Sequence, residues 1–153
     1  MKTAAERYGI TEDDWEALIN AATEFLASEA GEGSLTSYSE LNKTIAEQTG
    51  LDPLDFSHPE GRNALAWILG EVVNRTVDDV GAMLSAVVTY IDQNDAGPGF
   101  YHLAVDLTEQ GRLRGDGLAK DATKEQKTAF WTRQVSAVHS AYKTRRVARR
   151  RRR

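Results

Sequence analysis

The stretch "AMLSAVVTYIDQNDAGPGFYHLAVDL", residues 82–107, decides how the rest of the chain is read. Its two flanks, "AMLSAVVTYI" and "GFYHLAVDL", are rich in β-branched and aromatic residues, and "DQNDAGPG" between them is dense in turn formers. The reading is an antiparallel hairpin in which residues 83–91 pair with 99–107 and the tip lies at residues 92–98. Met83, Val87 and Tyr90, or their alternating neighbours, are expected to face the helices.

The period outside this stretch is helical. In "TEDDWEALINAATEFLASEA", Thr11 stands where an N-cap belongs and acidic residues fill the first turn. Trp15, Leu18, Ile19, Ala22, Phe25 and Leu26 then recur at helical spacing, so a helix is expected from about residue 12 to 29, ended by Gly31 and Gly33. A brief extended "SLTS" leads to a second, three-turn helix, with Ser37 and Glu40 in a capping-box pattern and Gly50 as its stop. The two prolines of "LDPLDFSHPEG" mark a loop, and Pro59 suits the first turn of a third helix built on Leu65, Ile68, Leu69, Val72 and Val73. Beyond the glycine-rich "TEQGRLRGDGLAKDA", Thr123 and Gln126 form a second capping-box pattern. They open a last helix whose Phe130, Trp131, Val135, Val138 and Tyr142 dock it on the body.

The 153 residues suffice for one domain with its own core. Cysteine is absent, which excludes a disulfide framework, a thiolate metal site and a Cys nucleophile. The first residues carry no apolar signal region and no segment approaches the ~20 apolar residues of a membrane span. A soluble, unexported, cytoplasmic protein is expected, with no membrane partner. Net charge is −4, but it is unevenly placed: Lys143 with Arg145, Arg146, Arg149, Arg150, Arg151, Arg152 and Arg153 supplies +8, so residues 1–142 carry 11 Lys and Arg against 23 Asp and Glu, a net −12.

Helix, short strand, helix, turn, helix, hairpin, helix is the layout of a winged-helix domain. The expected class is therefore α+β: three helices plus an antiparallel hairpin and a C-terminal helix, in one domain over 1–142 with a basic tail over 143–153. Within that order "TSYSEL", Gly50, "RNALAWILGEVVN", "MLSAVV" and "GPGFYHLAVDL", over about residues 35–107, resemble the DNA-binding domain of the alkyltransferase-like and O6-alkylguanine alkyltransferase family. The resemblance implies that the third helix reads a DNA groove, with Arg62 and Asn63 near the place of the family's recognition-helix arginine, and that the hairpin is the wing. Where the family has Cys-His-Arg this chain has Leu84, Ser85 and Ala86, so no alkyl transfer is implied. The arrangement "YSEL … MLSAVV … GPGF … FW" is also similar to small uncharacterised bacterial and phage proteins, and implies no function.

The tail is the strongest chemical signal, because each arginine makes charge-assisted contacts to phosphate. Arg112 and Arg114, in "GRLRGDG" beside the expected wing, are candidate phosphate contacts or solvated loop charges. The outer face of the third helix is only weakly basic, and Glu71, Asp78 and Asp79 would repel phosphate. Asp52, Asp55 and His58 share one loop, where turn and capping roles account for each. His58, His102 and His139 have no metal-ligand spacing, and no phosphate-binding or nucleophile motif occurs. No catalytic residue, metal or cofactor is expected. The expected function is non-catalytic binding of DNA or RNA by a winged-helix-like body and its arginine tail. The alternative is a protein-interaction module, such as a phage or bacterial regulator, whose acidic body occupies a basic partner surface.

Overall fold

The computed structural model describes residues 8–90 and 96–151, the last six of these by their backbone alone. Among the described residues the elements in chain order are α1 (Glu12–Gly31), β1 (Thr36–Ser37), α2 (Tyr38–Thr49), α3 (Pro59–Val80), a 3-10 turn (Leu84–Val87), β2 (Val88–Thr89), α4 (Pro98–Glu109) and α5 (Lys124–Arg151).

Local signals start and stop four of the helices. The Thr11 side chain accepts the Asp14 N–H at 3.1 Å and opens α1, and Ser37 accepts the Glu40 N–H at 3.1 Å and opens α2. Gly50, at φ 75°, ends α2 in the left-handed region that glycine adopts without strain. Pro59 stands in the first turn of α3, behind His58. At α5 the capping box is reciprocal: Gln126 N–H donates to Thr123 Oγ1 at 3.2 Å, and Thr123 N–H donates to Gln126 Oε1 at 2.8 Å.

Among the described residues the molecule forms neither the expected hairpin nor a winged-helix domain. Residues 98–109 are a helix, not a strand, and the two short strands pair in parallel, Thr36 with Val88 and Ser37 with Thr89. Of the expected hairpin tip, residues 92–95 lie outside the described residues. Two physical reasons account for the difference. Pro98 supplies no N–H and has a φ suited to a first helical turn, and behind it Phe100, Ala104 and Leu107 are buried at helical spacing. The first flank fails as a hairpin strand for another reason: every residue from Gly81 to Thr89 is buried, whereas a half-exposed hairpin needs a solvated face. Met83 and Val87 are indeed inside, but so are Leu84, Ala86 and Val88, while Tyr90 is 45% exposed.

This buried connector joins two apolar clusters. The larger one packs α1 (Trp15, Ile19, Leu26), α2 (Leu41, Ile45) and the inner side of α3 (Leu65, Ile68, Val72). The second gathers Val73 and Val77 of α3, Met83, Phe100 and Leu107, and closes on Phe130 and Trp131. Helix α5 spans both, since Val138 belongs to the first. Buried polar bonds lock the connector onto α5: Trp131 Nε1–H donates to Ala86 O at 2.9 Å, and Gln134 Oε1 accepts the Met83 N–H at 2.8 Å. Asn42 does the same for the loop before α3, exchanging two hydrogen bonds with the Leu54 backbone at 2.9 and 3.0 Å.

Candidate functional site

Helices α3 and α4 lie side by side and leave a groove between them. Arg112, just beyond α4, reaches α3 at Asn74 (Nη1 to Oδ1, 2.8 Å) and Asp78 (Nε to Oδ1, 2.9 Å), which fixes one end. A similar number of residues back along each helix, Arg62 and Pro98 line the same opening. The helices therefore run in one direction, and the groove follows them for roughly 18 Å at 1.5 Å per residue. Its volume is about 990 Å³.

Buried Leu65, Leu69, Ser85, Phe100 and Leu107 form the floor, and exposed or half-exposed Arg62, Glu71, Asn74, Asp106 and Gln110 stand at the rim. At the end where α4 begins, Tyr38 and Tyr90 pack with ring centres 5.0 Å apart, and Gly97 N–H donates to the Tyr38 hydroxyl at 3.1 Å. A Cβ at Gly97 would stand 2.9 Å from both tyrosine oxygens, so glycine is what lets the chain enter α4 there.

The second region with polar chemistry is the junction at the C-terminal end of α3. Asp78 binds Arg112, and the Arg112 guanidinium holds the Asp78 carboxyl below the usual carboxylate range while its own pKa is raised in return. Asp79 binds Arg145 of α5 at 2.8 Å, which raises the arginine's pKa. The same guanidinium lies 5.4 Å from the ring centre of Tyr142, whose phenol is pushed up chiefly by burial and drawn down by Arg145. Arg114 folds over Gly81, with its N–H on Gly81 O at 2.9 Å and Nη2 3.5 Å from Asp79 O.

The expected phosphate contacts are thus dispersed. Arg62 and Asn63 are exposed near the start of α3, with Arg62 Nη1 on Phe56 O at 3.3 Å. Arg112, Arg114 and Arg145 gather at the other end of α3, on the two aspartates expected to repel phosphate. Lys143 is exposed. Arg146, Arg149, Arg150 and Arg151 occupy helical backbone positions of α5, and Arg152 and Arg153 lie outside the described residues. The helix crosses from residue 142 to 143 without a break.

Among the described residues no group of three or more His, Asp or Glu converges, and no helix is long and apolar enough to cross a membrane. Asp55 and His58 meet at 3.5 Å on the surface, where two hydrogen bonds from Ser57 hold the Asp55 carboxyl below its ordinary range. His139 Nε2 lies 3.0 Å from Ser34 O, and His102 is exposed on α4. The groove was not foreseen, because it depends on α4 being a helix. Its one local signal is Gly97-Pro98, an N-cap and first-turn pair. Comparison with protein-family models, curated proteins and solved structures gave no match. The resemblance to the alkyltransferase-like family therefore rests on its residues alone.

Proposed function

We propose that the protein is a non-catalytic nucleic-acid-binding protein whose phosphate contacts are made by the basic end of α5. The observation that carries this reading is the continuity of α5. One helix of 28 residues sinks Phe130, Trp131, Gln134 and Val138 in the core and ends in the arginine run. Positions 145, 146, 149 and 150 recur at i, i+1, i+4 and i+5, so one side of the helix concentrates cationic positions. A nucleic acid presents a matching row of phosphates and releases counterions on contact.

The body contributes placement more than affinity. Its net charge of −12 opposes phosphate, and Arg112 and Arg145 already have carboxylate partners. Binding by such an end is weakly dependent on sequence and strongly dependent on salt; neutralising ~7 phosphates of duplex DNA gives a log–log slope of about −6. The test is an electrophoretic shift at two salt concentrations with the parent and with Arg149, Arg150, Arg151, Arg152 and Arg153 all changed to Ala. The variant is expected to lose most of the affinity and keep its melting temperature. Equal binding by both proteins at ~50 mM salt overturns the reading. Binding by neither favours the second one, in which the acidic body, with exposed Glu12 and Asp13 at the start of α1, seats on a basic protein surface.

A further inference from the structure

We propose that the groove between α3 and α4 binds a small amphipathic carboxylate, with its aromatic or short alkyl body along the groove and its carboxylate at the end where α4 begins. The inference is independent of nucleic-acid binding.

The body of the ligand is specified by the walls: leucines of α3 and α4 with Phe100 below, Phe56 and the Tyr38–Tyr90 pair above them. Sites for small organic ligands combine such an apolar lining with a few convergent polar groups. The groove has that second ingredient in Ser85. This residue is 6% exposed, and its hydroxyl makes no hydrogen bond among the described residues. The oxygen is nevertheless not sealed in, since no fully buried side-chain oxygen or nitrogen lacks a partner among the described residues. The opening that Ser85 lines is the groove. Buried hydroxyls ordinarily have partners, and a bound oxygen atom completes this one.

The charge of the head group follows from the difference between the two ends. At one end stand the first turn of α4, which among the described residues receives no side-chain cap, and Arg62, which among them forms no ion pair. An uncapped helix N-terminus and a guanidinium both favour an anion. Towards the other end stand Asp106 and Glu71, the latter paired with Arg75, and Arg112 there is taken up by Asp78. A carboxylate placed there would meet like charge. The ligand is therefore oriented, head towards Arg62.

The test is calorimetric titration of the full-length protein with 4-phenylbutyrate, 4-phenylbutanol and 4-phenylbutylammonium, which share one apolar body. The carboxylate is expected to bind about tenfold or more tighter than the ammonium, with the alcohol between, as charge-assisted contacts add to a common apolar term. Arg62→Gln removes the advantage of carboxylate over alcohol, and Ser85→Ala weakens the carboxylate and alcohol together. Gly70→Leu fills the groove: nothing lies within 4 Å of a Cβ at Gly70, and leucine favours the helix, so the fold is kept, as circular dichroism would verify. This variant is expected to bind none of the three. Trp67, which lines the groove and is 42% exposed while Trp15 and Trp131 are buried, reports occupancy through its emission. Absence of binding by all three ligands overturns the proposal, as does carboxylate binding that survives Gly70→Leu. Equal affinities that Arg62→Gln leaves unchanged overturn the assignment of a carboxylate.

Discussion

The two halves of α5 have the same secondary structure for different reasons. From Lys124 to about Tyr142 the helix is held by what it buries: Phe130 and Val138 have no exposed surface, and Trp131 and Gln134 bond to the connector backbone. From Lys143 onward the chain carries +8 in eleven residues, and like charges at i and i+4, as at positions 145 and 149 or 146 and 150, each oppose the helix by about 0.2–0.5 kcal/mol. Against that repulsion stand the continuity of a helix already nucleated and the preference of cations for a helix C-terminus. The Arg145–Asp79 pair ties the second half to the body at its first turn. The docked half is thus set by tertiary packing, and the basic half inherits its direction.

Substitutions along α5 test this contrast, with effects that fall towards its C-terminus. Trp131→Ala should be the most damaging, at about 3–5 kcal/mol by denaturant titration, because it opens a cavity and removes the bond to Ala86 O. A variant that melts with the parent would show that the helix is not docked there. Gln134→Ala leaves the Met83 N–H buried without a partner and should cost about 1–3 kcal/mol.

Carboxylates that hold α3 should respond to acid. The folded-state pKa values of Glu16, Asp55 and Asp78 lie below their ordinary values, by hydrogen bonds from Arg75, Ser57 and Arg112 respectively. Their contribution is therefore full above the unfolded pKa of ~4 and is lost as pH falls through the lower folded values. Melting temperature should be level from pH 7 to ~5 and decline below ~4; a melting temperature that rises on acidification contradicts these pairings. Asp79→Asn, at a pair that is half exposed, should change stability by only about 0–1 kcal/mol. The five-arginine substitution should change it least of all. A large loss from either would mean that the basic half is part of the fold.

Capping and helical spacing are contained within a few consecutive residues, and for that reason α1, α2, α3 and α5 were legible. Thr11, Ser37, Gly50 and the Thr123–Gln126 pair stand at their ends as expected. The helix α3 runs on to Val80, beyond Val73, the last residue of the apolar stripe on which it is expected, since Val77 and Val80 extend the same face. Asn42, Gln134 and Ser85 gave no local sign of their roles, because their partners or their setting lie far along the chain.

The stretch 82–107 separates what the chain determines locally from what the folded molecule decides. Taken alone, both of its halves carry residues that suit strands, and β preference largely measures fit to a half-buried pleated surface. No such surface is offered here. The first half threads between α1, α3 and α5 with all its sides covered, so it forms a tight turn and a two-residue parallel pair. The second half finds an apolar face of α3 and Phe130 to pack against, and its Phe100, Ala104 and Leu107 meet them only as a helix. Polarity, the basic end, the helix caps and the absence of cysteine chemistry belong to the sequence by itself, since they depend on residue identity and near neighbours. The parallel pair, the fourth helix and the groove beside it are tertiary, because each depends on surfaces that residues far apart in the chain bring together.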